Sequence, residues 1–295
     1  MRTAITTEPA KADAVIIPHY NDVPRLERCL QALMKNDIAG TEIVVVDNDS
    51  PISLDRLRRD FPNVRFVVET RKGAAHARNR GLSETSAPRL FFIDADCVPA
   101  PDWLAVGRMV ADQADLIGGR VDVFDETPPP RSGAEAFEAV FAFNFRRYVE
   151  VQGFSGAGNL LTRRDVFEDI GGFINGVSED REWTMRAVAR GYSLIYEDRL
   201  RVSHPSRQDW QALKAKWRRT TQEAYQLNGT GPAARIRWAI RALAMPVSVV
   251  AHVPKVLASG KLSSTGEVLR AVITLARLRC LRMVWMLKQA GGGSI

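Results

Sequence analysis

Short apolar runs alternate with helix-patterned stretches along residues 14–120. Residues 14–17 form an apolar run closed by Pro18, and residues 23–34 carry Leu26, Leu30 and Leu33 at helical spacing. Residues 42–46 read as a strand running into the polar turn Asp47-Asn48-Asp49-Ser50. A short basic helix over 54–61, a third strand over 64–68, a helix opening over 73–82 and a fourth strand over 89–93 follow. Alternation at this spacing predicts a mostly parallel sheet with helices on both faces.

Past residue 120 the alternation fails. Residues 124–132 hold the run Pro128–Pro130 and must be a loop. A helix is expected over 134–149, a glycine-containing segment entering a strand over 155–162, a helix over 179–189 and a strand over 192–196. From residue 208 onward the pattern is helical and basic. Ile236, Ile240 and Leu243 share one stripe with Arg237 and Arg241 beside it. Residues 242–254 are mostly apolar but hold Pro246, Pro254 and His252, and residues 268–287 carry Arg270, Arg277, Arg279 and Arg282 on more than one face. Neither stretch offers the roughly 20 unbroken apolar residues of a spanning helix. Apolar helices rich in arginine suit an anionic leaflet. The competing expectation is a pair of core helices packed on the body or on a second subunit.

The chemistry concentrates where the fourth strand runs out, at Phe92-Ile93-Asp94-Ala95-Asp96. In open α/β sheets ligands bind outside the carboxyl ends of the strands. Two carboxylates there repel unless a cation joins them, and a hard divalent ion held with substrate phosphates would do so. Taken alone, the pair is a strand end followed by a helix cap with Asp96 solvated.

Charge adds an asymmetry. Residues 206–295 carry 15 Lys+Arg against 3 Asp+Glu (+12), and residues 1–205 carry 26 against 31 (−5). A basic tail on an acidic body points to an anionic partner for the tail. Long apolar runs between its arginines suit lipid better than nucleic acid, and no nucleic-acid motif is present. Cys29, Cys97 and Cys280 lack metal or disulfide spacing and fit free thiols in a reducing cytosol. Residues 1–12 are polar and do not read as a secretory leader.

Several segments line up with the two acids. Val15-Ile16-Ile17-Pro18-His19-Tyr20-Asn21 is a first strand ending in polar residues, and Val44-Val45-Val46-Asp47 is a second ending in an acid. Arg71-Lys72-Gly73 opens a basic helix that reaches Arg78. Gly156-Ala157-Gly158-Asn159, Gly171-Gly172-Phe173 and Ser178-Glu179-Asp180-Arg181-Glu182-Trp183 follow in order, and then His204. In this order and spacing residues 12–205 resemble the inverting family-two glycosyltransferases with a GT-A fold, a Rossmann-like, mostly parallel sheet flanked by helices. That resemblance implies a catalytic domain over 1–205 with a basic helical appendage over 206–295.

It also implies roles. Pro18, His19, Asp47, Lys72, Arg78 and Asp94 would face the donor, with Asp47 accepting from uracil N3–H and Lys72 and Arg78 reaching base or phosphates. Asp94, Asp96 and His204 would hold Mn2+ or Mg2+. Asp180 would be the general base, with Glu179 as its rival, and Asn159, Glu179, Trp183 and Arg186 would line the acceptor or diphosphate region. Arg71 departs from the family's usual Asn and is given no contact.

The expected protein is a cytoplasmic, peripherally membrane-bound enzyme on the inner face of the membrane. It would move a sugar from a nucleotide-sugar donor, UDP-linked, to a glycan or lipid-linked acceptor in bacterial polysaccharide or glycolipid synthesis. Homo-oligomerisation stays open, and no nucleic acid is expected beyond the donor nucleotide. Two other classes compete. A haloacid-dehalogenase-like phosphatase would use Asp94 as nucleophile, but its motif should open the chain and its later lysine and acidic pair are missing. A non-catalytic nucleotide-sugar-binding module would need damage at the carboxylates, and all are present.

Overall fold

The computed structural model describes residues 11–229 and 231–295. Residues 1–10, most of the segment read for a leader, lie outside the described residues. The chain divides into two compact units. One holds the chain up to Asp122 with Phe145–Asn175 and Glu179–Ser203; the other holds Val123–Asn144, Gly176–Ser178 and His204–Ile295. The second unit is thus built from three segments, and it includes all of the chain after residue 205.

The first unit is built on a mixed, mostly parallel sheet. Its strands are β1 (Asp13–His19), β2 (Thr41–Asp47), β3 (Val64–Val68), β4 (Arg89–Ile93), β5 (Val98–Pro99), β6 (Leu116–Phe124), β7 (Asn159–Arg163) and β8 (Leu194–Pro205), in spatial order β3-β2-β1-β4-β7-β6-β8-β5. The pairs β1–β2, β2–β3 and β1–β4 are parallel, whereas β7 runs antiparallel to β4 and β6. Pro18 does not end the first strand: it stays in register with Val46, and His19 follows opposite Asp47.

Alternate residues of a strand face opposite sides. Ala14, Ile16, Leu90 and Phe92 therefore meet one helical layer, α3 (Ala74–Ser83), α7 (Arg164–Ile170) and α8 (Glu179–Ala189), through Ala75, Leu82, Val166, Ile170 and Trp183. Phe91 faces the other side, where Trp103 of α4 (Trp103–Val110) lies edge-on at 5.2 Å. On that side too, α1 (Val23–Leu33) buries Leu26, Cys29, Leu30 and Leu33. Asp22 caps α1 by accepting from the Arg25 N–H at 3.4 Å. The short helix after β2 is α2 (Asp55–Asp60).

The helix expected over 134–149 is two helices, α5 (Gly133–Phe141) and α6 (Phe145–Gln152), parted at Phe143 with φ +48°. In the second unit α5 packs with α9 (Trp210–Asn228) and α11 (Thr265–Ala290), and α10 (Pro232–Leu257) lies against α11. Trp238 Nε1 donates to Gln289 Oε1 at 3.0 Å and Arg235 Nε to the Ala290 carbonyl at 2.7 Å, so α10 and α11 run antiparallel. Both Pro246 and Pro254 lie inside α10. A proline removes one ladder bond without ending a helix that a neighbour supports. In consequence α10 is long and apolar enough to cross a membrane by length and composition, which corrects the reading that split it at the prolines.

Candidate active site

The carboxyl ends of β1, β2 and β4 meet at one sheet edge, as parallel pairing requires. His19 Nε2 accepts from the Asp22 N–H at 3.0 Å. Its other nitrogen, Nδ1, therefore carries the hydrogen and donates to Asp47 Oδ1 at 2.9 Å. Ser50 adds its N–H to Asp47 Oδ2 at 3.1 Å and its hydroxyl to Oδ1 at 2.5 Å. A carboxylate accepts about four hydrogen bonds, so Oδ2 retains capacity for one donor of a ligand.

Asn48 was given no role from the sequence, yet it organises this edge. Its Nδ2 donates to the Glu69 and Arg71 carbonyls at 2.8 and 2.7 Å, and its Oδ1 accepts from the Gly73 N–H at 2.7 Å, the entry to α3. Lys72 Nζ bonds the Asp49 carbonyl at 2.9 Å and the Asn48 carbonyl at 3.2 Å, over the Tyr20 ring. Arg71 is paired with Glu69 through Nε and Nη2 at 2.9 and 2.8 Å, and those hydrogen bonds hold the Glu69 carboxyl down to about 2.

Arg78 departs from expectation. It sits one turn inside α3, buried, with Nη2 on Asp94 Oδ1 and Nη1 on Glu179 Oε1, both at 2.7 Å. Its Nε has no partner among the described residues. The guanidinium is committed to tying the end of β4 to the start of α8, rather than reaching for a base or phosphate.

Asp180 follows Glu179 in the first turn of α8. Its Oδ1 accepts from the Arg181 N–H at 2.7 Å and its Oδ2 from the Ala157 N–H at 3.3 Å. Burial pushes its carboxyl above the ordinary aspartate range, the Glu179 charge adds to this, and Arg78 opposes it. A raised carboxyl is a better proton acceptor once ionised.

Other expected site residues lie elsewhere. Asn159 is fully buried: Oδ1 accepts from Trp103 Nε1 at 2.9 Å, and Nδ2 donates to the Arg120 and Leu200 carbonyls at 2.9 and 2.8 Å. Trp183 is core, stacked on Phe167 at 5.3 Å with Nε1 on the Gly171 carbonyl at 2.8 Å. Arg186 pairs with Glu182 at 2.9 Å and bonds the Ile170 and Gly172 carbonyls. Asn159, Trp183 and Arg186 thus spend their polar atoms on contacts within the fold.

A divalent ion fits the chemistry at the β4 end. Gly158 makes room for Asp94, since a Cβ there would come within 2.8 Å of Oδ2. Burial first, then the charges of Asp96 and Asp94, push the Cys29 and Cys97 thiols up, so both stay protonated and the donor set is hard oxygen. No group of three or more His, Cys, Asp or Glu side chains close enough to hold a metal exists among the described residues. His204 belongs to the second unit, where it is buried with Nδ1 donating to the Pro205 carbonyl at 2.6 Å and its ring 4.6 Å from Phe143.

The family model for glycosyl transferase family 2 matches residues 14–171, which include β1 to β4 and the two acids. This chain belongs to that family. Glycosyltransferase AglE of Haloferax volcanii is 31% identical over 216 residues, 70% of each chain. The pre-mycofactocin glycosyltransferase of Mycobacterium tuberculosis is 27% identical over 219 residues, 68% of this chain but 45% of that one. The fold is that of the GT-A glycosyltransferases. A Pyrobaculum calidifontis mannosyltransferase in complex with GDP-Man and Mn2+ superposes with a TM-score of 0.55 at 20% identity, over 96% of this chain and 74% of that one. Residues 1–349 of S. aureus TarS with UDP-GlcNAc give 0.53 at 17% identity, over 79% and 66%. The family-two membership sets aside the phosphatase and non-catalytic readings.

Proposed function

We propose that this family-two enzyme transfers a sugar with inversion from a uridine-diphosphate sugar to a hydroxyl of a glycan or lipid-linked acceptor. The observation that carries the reading is the Asp94–Arg78–Glu179 bridge, which joins the carboxylate pair at the strand end to the helix turn bearing Asp180. Asp180 takes the acceptor hydroxyl's proton. The acceptor oxygen bonds to the anomeric carbon from the face opposite the leaving group, and the bonding pair of the broken C–O bond departs with the diphosphate. Asp94 and Asp96 would hold a divalent cation (Mn2+ or Mg2+), which would supply charge stabilisation for the diphosphate. Arg78 positions both ends of the site. Asp47 reads the base by accepting from uracil N3–H, and His19 and Ser50 fix its carboxylate. Bacterial polysaccharide or glycolipid synthesis is the setting this reading gives.

Calorimetric titration with a panel of UDP- and GDP-sugars tests it. Binding should require Mn2+ or Mg2+, favour uridine, and weaken at least about tenfold in Asp96→Asn, the effect of losing roughly 1.4 kcal/mol. Tight metal-independent binding would remove the cation from the account, and preference for GDP-sugars would reassign Asp47 to guanine.

The membrane part of the reading rests on α10. Ile236, Ile240, Leu243, Val247, Val250 and Leu257 are exposed at spacings of three, four and seven residues, and exposed Arg237, Arg241 and Lys255 flank them. On α11, Leu269, Ile273 and Val284 are exposed as well. A second copy seated on the same face would bring like charges together, whereas an anionic leaflet complements them at about 1 kcal/mol per basic residue. The enzyme then works at the cytoplasmic face with the helix pair lying in the interface. Val247→Asp/Val250→Asp should abolish co-sedimentation with anionic vesicles while leaving thermal stability unchanged, because both side chains are exposed. Wild-type protein should stay partly bound in high salt. Equal pelleting of wild type and variant would return the stripe to a dimer contact.

A further inference from the structure

Two nearby arginines are committed to carboxylates: Arg78 to Asp94 and Glu179, Arg186 to Glu182. Arg181 is different. Its backbone N–H binds Asp180, but its guanidinium has no ion pair or hydrogen bond among the described residues, and its buried Nε is unpartnered. A buried donor left unmade costs about 1–3 kcal/mol, and this one belongs to the residue that follows the base in the first turn of α8.

The surroundings hold the cation in place. Its Cζ lies 4.9 Å over the Phe154 ring, Phe154 stacks on Tyr148 at 5.1 Å with 13° between planes, and Tyr148 approaches Phe145 at 5.6 Å. Gly156 joins this ladder to the base: a Cβ there would meet Phe145 Cζ at 2.8 Å and Asp180 Oδ2 at 3.3 Å. A planar guanidinium stacked on an aromatic face and left without a carboxylate is preorganised for bidentate binding of phosphate or carboxylate.

We infer that Arg181 binds an anionic group of the acceptor, so that the natural acceptor carries a phosphate or carboxylate close to the hydroxyl that is glycosylated. This rests on Asp180 being the base. The diphosphate of the donor is the competing anion, and Asp94 and Asp96 place it at the strand end.

The full chain, with Mn2+ and UDP present, is titrated with n-octyl β-D-glucuronide against n-octyl β-D-glucoside, and with geranyl phosphate against geraniol. Wild type should bind the charged member of at least one pair more tightly, and which pair responds tells carboxylate from phosphate. Arg181→Gln should erase that preference, weakening the charged probe roughly 10–100-fold, the range for a charge-assisted hydrogen bond. Arg181→Lys should restore part of it. UDP affinity, measured separately with Mn2+, should not change, and it reports on the donor reading independently. Wild type that treats charged and neutral probes alike, or binds neither, overturns the inference. So does a fall in UDP affinity in Arg181→Gln, which would give the guanidinium to the donor.

Discussion

Asp180→Asn should lower turnover by a factor on the order of 10²–10⁴, the range for losing a general base, while nucleotide-sugar affinity holds. The substitution keeps the side chain's size and its contact with the Arg181 N–H. What it removes is the proton acceptor. The pH profile gives a second readout. Burial raises the Asp180 carboxyl, and a base works only when ionised, so activity should fall on the acid side at a pH above the ordinary aspartate range. If Asp180→Asn leaves turnover near normal, Glu179 takes the role.

Replacing Arg78 should have the largest effect on stability. Arg78→Met leaves the Asp94 and Glu179 carboxylates facing each other without the cation between them. Removing one member of a buried ion pair costs about 3–5 kcal/mol. The lower end applies because the Asp94 side chain keeps 37% of its exposure and is partly hydrated. For a chain of this size about 3 kcal/mol corresponds to a fall in Tm of roughly 6–12 °C. Activity should fall too, with its acid limb moved further up, since Arg78 is the charge that lowers the Asp180 carboxyl. Arg78→Lys restores the charge but not the two-armed bridge, so it should recover the acid limb more fully than the stability. Scanning calorimetry and a pH–rate profile on both variants separate these effects.

Much of the sheet was legible because buried parallel strands are short apolar runs. The third strand matches the 64–68 reading, and α8 matches 179–189. The polar turn after β2 and the acids after β4 were also legible, since a buried strand ends where its apolar run stops. Other elements were hidden. β6 carries Gly118 and Gly119 mid-strand, which weakens a strand pattern. There a Cβ on Gly119 would lie 2.2 Å from Asn159 Nδ2, so the glycine serves the close approach of β7. β5 is a two-residue strand held only by β8, too short for any pattern to mark.

At the site, helical spacing gave positions but not directions. Trp183 follows Asp180 by one turn, yet it points into the aromatic core with Phe167 and Phe173. Arg186 turns back to Glu182 and the Ile170 carbonyl. Arg78 could not be matched to Glu179 from the sequence, because 101 residues separate them and only the fold closes that distance. The two prolines of α10 concealed a continuous helix for a related reason: packing on α11 decides its continuity.

The central claim is a single displacement at the anomeric carbon with Asp180 as the base. Proton NMR of the sugar first released during slow hydrolysis of a UDP-α-sugar by the metal-loaded enzyme tests it most directly. The account predicts that the β anomer appears first, before mutarotation mixes the two, and that Asp180→Asn suppresses its formation. Release of the α anomer, or β release undiminished in Asp180→Asn, would contradict it.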